Sequence, residues 1–176
     1  MIRVVVTGSE CTGKTTLAKA LARHYDAPWV PEYVRQFVLA KGAAPVYRDV
    51  DSIAGGQIAL EDSLAAKDPH LLIQDTDLLS TVVYSRHYYG DCPGWVEEAL
   101  RNRIADLYLL AGTDVPWRPD GDQRDRPHMR EEMQELFRQA LQTRDARTVE
   151  VRGSHDERMS AATQVIDPLL RGISGA

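Results

Sequence analysis

An α/β fold built on a parallel sheet is predicted by three observations. Short β-branched runs alternate with longer amphipathic stretches along the chain, and alternation of that kind lays helices over both faces of a parallel sheet. A glycine-rich motif lies between the first such run and the first such stretch, where a nucleotide-binding α/β sheet grips phosphate. The chain has 176 residues, 43% of them hydrophobic and 27% charged, which suits one domain over 1–176 able to bury roughly 70% of its unfolded surface. No internal repeat or linker divides it.

The elements follow in order. Ile2 to Val6 is apolar except for Arg3, as in a strand buried on both faces. A helix is expected from Gly13 to about His24, with Leu17, Ala20, Leu21 and His24 on one face. Trp29-Val30, bracketed by Pro28 and Pro31, reads as a short strand near an edge. Residues 33–41 and 50–67 read as helices, and Leu71-Leu72-Ile73 as a third strand ending at Asp75-Thr76-Asp77. Helices over 78–88 and 95–103 flank a Gly90–Gly94 turn, and Asp106 to Leu110 is the fourth strand. Residues 113–127 form a polar loop. Met129, Met133, Leu136, Phe137, Ala140 and Leu141 stripe the next helix, and Thr148 to Val151 is the fifth strand. Met159, Ala162, Ile166, Leu169 and Leu170 mark the last helix, with Gly172 to Ala176 as a tail.

Composition excludes several classes. With 21 basic against 26 acidic residues the net charge is −5, which argues against a nucleic-acid coat or an anionic-membrane binder. Two cysteines, Cys11 and Cys92, make neither a disulfide framework nor a four-ligand zinc site. No apolar run reaches membrane-span length, and the first residues lead into a motif rather than a signal-peptide cleavage site. A cytoplasmic protein is expected. The five histidines lack metal-ligand spacing.

The strongest motif is Gly8-Ser9-Glu10-Cys11-Thr12-Gly13-Lys14-Thr15, a full match to G-x-x-x-x-G-K-[ST]. Its glycines let backbone N–H groups converge on a polyphosphate at a helix N-terminus. Lys14 supplies a mobile charge for the β- and γ-phosphates, the Thr15 hydroxyl is a Mg²⁺ ligand, and Thr16 continues the nucleotide-binding stretch. An NTP-binding protein follows. Cys11 reads as a tolerated small residue in the loop.

Kinase chemistry also needs carboxylates. Asp75 ends the third strand, at the sheet edge where ligands gather, and is expected to hold Mg²⁺ and face the acceptor. Asp77 is either a substrate contact or a helix N-cap. Glu32 ends the second strand, followed by Tyr33 and Arg35; it would face the phosphoryl acceptor, with a surface ion pair as the alternative. Arg118, Arg124, Arg126 and Arg130 lie among aspartates after the fourth strand. This run is a solvated charged loop or, in a P-loop fold, a lid over about 114–130 with Arg124 on the phosphates. Tyr33, Tyr84, Tyr88, Tyr89 and Trp95 fall where an acceptor pocket would form, and either stack on a flat base or pack the core.

Together, the phosphate loop, Glu32-Tyr33-Val34-Arg35 and Asp75-Thr76-Asp77 resemble the ribosylnicotinamide kinase domain of bacterial NadR-type proteins. The run Asp114 to Arg124 is similar to that family's lid, and Gly153 with Glu157-Arg158 to its C-terminal signature. The resemblance implies a P-loop kinase of three α/β/α layers, with five parallel strands in the order 2-3-1-4-5 and a lid. It implies ATP-dependent phosphorylation of the 5′-hydroxyl of nicotinamide riboside. Glu32 and Arg35 would then sit at the ribose, Asp75 near Mg²⁺ and the attacking hydroxyl, and Arg124 on the phosphates. Gly153, Ser154 and His155 would flank adenine. Glu32 is favoured over Asp75 as the base. No HxGH motif occurs, so adenylylation of the product and DNA-linked regulation are not expected. Another small-molecule or deoxynucleoside kinase, and a regulatory nucleotide-binding module, are the alternative readings.

Overall fold

The computed structural model describes residues 1–116 and 129–174. Five parallel strands, β1 (Ile2–Thr7), β2 (Trp29–Val30), β3 (Leu71–Asp75), β4 (Leu107–Ala111) and β5 (Thr148–Val151), form one sheet in the order β2-β3-β1-β4-β5. The helices are α1 (Lys14–His24), α2 (Tyr33–Lys41), α3 (Val50–Ala65), α4 (Leu78–Tyr89), α5 (Gly94–Arg101), α6 (Arg130–Thr143) and α7 (His155–Ser174). A 3₁₀ turn at Tyr47–Asp49 leads into α3.

The central strand β1 is apolar throughout because both its faces are covered. Val4, Val6, Leu107, Leu109 and Ala111 point toward α1 and α7, whereas Val5, Tyr108 and Leu110 point toward α4, α5 and α6. Gln74, which interrupts the apolar run of β3, is buried and lies level with Val5 and Val30. Parallel pairing, Val6 with Asp75 and Thr7 with Leu110, gathers the C-terminal strand ends at one edge. That edge carries the site.

The expected elements are present, with differences at faces and ends. In α1 the buried face is Leu17, Ala18, Leu21 and Ala22, while His24 is exposed; the helix is rotated toward β3 and α7 relative to the three- and four-residue pattern. Gly172 lies in α7 rather than in a tail, and Pro168 sits inside that helix. Ala162 and Ile166 pack into the core beside α1, with Leu169 and Leu170 against them, and this burial outweighs the backbone hydrogen bond that proline removes.

Candidate functional site

The phosphate loop is braced from outside. Gly8 has φ +127°, and a Cβ there would stand 3.0 Å from the Ala111 carbonyl and 3.1 Å from Gln134 Oε1, so this close approach needs glycine. Gln134 accepts from Ser9 N at 3.0 Å and donates to Ala111 O at 3.0 Å, tying the loop to the end of β4. Lys14 Nζ and Thr12 Oγ1 both donate to Ser9 O, at 2.7 and 2.8 Å. Arg130 donates to Cys11 O at 3.1 Å and Arg158 to Thr12 O at 2.6 Å. With the carbonyls of Ser9, Cys11 and Thr12 held by cationic side chains, the loop offers its N–H groups to an anion, and α1 begins at Lys14 directly behind them.

Asp75 ends β3 beside this loop, almost fully buried. The Thr15 hydroxyl hydrogen-bonds to its carboxylate. Burial, followed by the negative charge of Glu32, pushes Asp75 above the usual carboxylate range, against the opposing pull of Thr15, Lys14 and Arg35. Asp75 thus feels the charges of Lys14, Glu32 and Arg35 as well as the Thr15 hydroxyl, all at the same sheet edge. Glu32 precedes α2 as its N-cap residue, but its side chain turns instead to Arg35 Nε at 2.8 Å. Tyr33 N donates to Gln57 Oε1 at 3.0 Å, which fixes the start of α2 to α3.

Three buried oxygens at this edge, Thr7 Oγ1, Ser9 Oγ and Asp75 Oδ1, have no hydrogen-bond partner among the described residues. Buried polar atoms are ordinarily satisfied, so this cluster is fitted to a polar ligand. For Mg²⁺ the donors match: the hydroxyl oxygen of Thr15 and the carboxylate of Asp75 are the hard oxygen ligands that would hold the ion. Among the described residues no group of three His, Cys, Asp or Glu is placed to hold a metal ion.

On the far side, Gly153 has φ +89° and donates its N–H to Asp114 at 2.6 Å. Ser154 and Glu157 cap α7 reciprocally, Ser154 N to Glu157 Oε2 at 2.7 Å and Glu157 N to Ser154 Oγ at 3.3 Å. His155 opens α7, exposed.

Other expected site residues are elsewhere. Asp77 takes the N-cap role: it accepts from Leu79 N at 3.0 Å and from the Tyr108 hydroxyl at 2.7 Å. Burial, with Glu61 nearby, pushes it up to about 7. Its carboxylate is thus turned into the core and not toward a substrate. Tyr84 packs edge-on against Phe137 at 5.6 Å and stacks with Tyr88 at 6.0 Å, the core alternative for Tyr84. Trp95 is half-exposed and donates to Asp51 at 2.6 Å, which holds it on the α3 surface. Arg118, Arg124 and Arg126, with most of the expected lid, lie outside the described residues.

The residue pattern gave no role to Gln134, Gln57 or Arg158. Gln134 and Gln57 are polar residues buried within otherwise apolar helix faces, and a polar residue adjoining the Met133–Phe137 stripe was the available signal. Arg158 appears in the sequence only as part of a signature; its burial is a tertiary fact.

Comparisons with known proteins agree with this fold. The model of the AAA domain family matches residues 3–158. The trifunctional NAD biosynthesis/regulator protein NadR of Escherichia coli (strain K12) is 29% identical over 122 residues, 67% of this chain and 30% of that protein. The chain thus spans under a third of this curated relative's length. A crystal structure of NadR protein in complex with NAD and AMP-PNP superposes with a TM-score of 0.71 at 23% identity, over 93% of this chain and 49% of that one. A second, in complex with NR, has a TM-score of 0.64 at 24% identity over the same shares. Thymidylate kinase from Candida albicans has a TM-score of 0.73 at 16% identity, over 95% and 91% of the two chains. The fold is that of P-loop kinases.

Proposed function

The chain belongs to the AAA domain family, and from that premise we propose that it is an ATP-dependent kinase acting on the 5′-hydroxyl of nicotinamide riboside. The observation that carries the reading is the pairing of a complete phosphate loop with two carboxylates, Asp75 and Glu32, at the same sheet edge. One carboxylate beside Thr15 serves a metal-bound nucleotide; a second, paired with an arginine, serves an acceptor hydroxyl. The NadR structure in complex with NR supports the choice of acceptor.

In the reaction, the loop N–H groups and Lys14 hold the triphosphate, with Lys14 leaving the Ser9 carbonyl for the β- and γ-phosphates. Bound at Thr15 and Asp75, Mg²⁺ would supply charge neutralisation at the phosphates. Glu32 orients the ribose hydroxyl and takes its proton as the new O–P bond forms. The bond between the γ-phosphorus and the β–γ bridging oxygen breaks, and ADP leaves. Positioning and electrostatics supply most of the rate. Arg35 keeps Glu32 aimed through its Nε hydrogen bond. Arg124, on the lid, would reach the transferring group, and Gly153 to His155 would flank adenine.

The test is ADP release with ATP and Mg²⁺ against nicotinamide riboside, nicotinic acid riboside, uridine, cytidine, thymidine and deoxyadenosine. Turnover with nicotinamide riboside, abolished by Lys14→Ala, is the expected result. Turnover confined to another nucleoside overturns the substrate and keeps the kinase. Nucleotide binding without acceptor-stimulated turnover replaces the enzyme with a nucleotide-binding module.

A further inference from the structure

We propose that Arg158 is a positioning residue for the nucleotide, a planar clamp that sets the phosphate loop against the loop flanking the nucleoside end. This rests on the phosphate-loop reading above and on the proposed placement of adenine beside Gly153 to His155. Arg158 lies in the first turn of α7 and is only 4% exposed. Its guanidinium makes four hydrogen bonds to three separate loops. Nε donates to Gly153 O at 3.0 Å, and one terminal nitrogen to Thr12 O at 2.6 Å. The other terminal nitrogen donates to Gly112 O at 3.1 Å and to Asp114 Oδ1 at 2.8 Å. Asp114 in turn accepts from Gly153 N at 2.6 Å, closing the ring between the β4 and β5 loops.

These bonds matter through their direction. A buried cation is costly unless its donors are satisfied. Arg158 spends its donors mainly on backbone carbonyls, and its one carboxylate partner has a side chain 30% exposed. What those bonds fix is the direction of three backbone segments. Pulling the Thr12 carbonyl outward orients the peptide whose N–H belongs to Gly13, the residue that caps α1. A Cβ on Gly13 would stand 3.9 Å from Arg158, with no other heavy atom outside its chain neighbours as near. The same plane holds Gly153, so the phosphate end and the nucleoside end of the cleft share one rigid support. Lysine cannot reproduce this, because an ammonium is a point donor and not a flat fork.

Isothermal titration of ADP, and separately of inorganic tripolyphosphate, with Mg²⁺ present, tests the proposal without reference to any acceptor. In Arg158→Ala both ligands should bind roughly 10- to 100-fold more weakly, and guanidinium ion should restore part of the loss where methylammonium does not. In turnover, KM for ATP should rise while KM for the nucleoside stays, a split that general loosening of the fold would not produce. Should Arg158→Ala fail to fold, Arg158→Lys carries the same test, with the same direction expected. ADP affinity within twofold of wild type in either folded variant overturns the clamp. Failure of the wild-type protein itself to bind ADP overturns the phosphate-loop reading, and the clamp with it.

Discussion

Replacing Asp77 by Asn should flatten the dependence of stability on pH. The Asp77 carboxyl is buried against Tyr108 and Leu79 N, with Glu61 and Arg144 as its charged neighbours, and it rises from an ordinary 3.8 to about 7. Because the folded state binds this proton more tightly than the unfolded chain, the contribution is complete below about pH 4 and is lost as pH climbs through 7. At 1.36 kcal/mol per pH unit, the interval from 3.8 to about 7 amounts to about 4 kcal/mol. Roughly 3 kcal/mol of that falls between pH 5 and 8. Asparagine keeps the cap, since its Oδ1 can still accept from Leu79 N. It exchanges the Tyr108 contact for a weaker one at about 1 kcal/mol, independent of pH. Urea unfolding of both proteins at pH 5, 6, 7 and 8 gives the gap between them. The variant should gain on wild type by about 3 kcal/mol across that range. A gap constant within about 1 kcal/mol would refute the reasoning, because Asp77 would then ionise in the fold as readily as in the unfolded chain.

Asp75→Asn should abolish turnover and weaken the metal-nucleotide complex, whereas Glu32→Gln should lower kcat by about a hundredfold with ATP binding kept; near-full turnover in Glu32→Gln would assign the base to Asp75. Since burial and Glu32 both raise Asp75 in the metal-free protein, the acid limb of kcat/KM for ATP, which reports the free enzyme, should stand above the ordinary carboxylate range, with activity gained as pH rises through it; a limb at or below that range contradicts the site. Gln57→Met removes the acceptor for Tyr33 N, so stability should fall by about 1–3 kcal/mol and KM for the nucleoside should rise; equal urea midpoints and equal KM would count against the brace. Gly56→Ala would put a Cβ 2.1 Å from the Tyr33 ring, which must shift at a cost of about 1–3 kcal/mol, read by thermal melting.

The sheet was legible because its signals are local and mutually consistent. Ile2–Thr7 is apolar at nearly every position, and the phosphate loop marks where the strand ends and α1 starts. Strand order is a matter of which runs pair, which local pattern does not state, and it came from resemblance to a family. Helix faces were less legible. His24 has the right spacing from Leu17 and Leu21, yet α1 also packs Ala18 and Ala22, and their small side chains let it approach β1 and α7 closely. The same limit applies to Asp77, whose two readings differ only in where the chain carries its carboxylate, a direction fixed by Tyr108 some thirty residues away.

The two faces of the sheet differ in a way that bears on function. Under α1 and α7 the interior is packed with apolar side chains, the buried cations Lys14 and Arg158 lying at the strand-end rim, whereas the opposite side buries Asp77, Tyr108, Glu61 and Gln57 together. Glu61 is pushed up by burial despite Arg103 at 3.2 Å, and donates nothing to the apolar core. Its neighbour Gln57 explains the arrangement: Nε2 donates to Glu61 at 3.2 Å while Oε1 accepts from Tyr33 N, so the amide is held in one orientation. That orientation fixes the backbone next to Glu32. A hydrophobic residue at position 57 would pack as well, but it would leave Tyr33 N unpaired and the acceptor carboxylate on a freer hinge. The buried amide of Gln57 thus directs the backbone beside Glu32, whereas the phosphate loop is directed from both faces of the sheet, by Gln134 on the α6 side and by Arg158 on the α7 side.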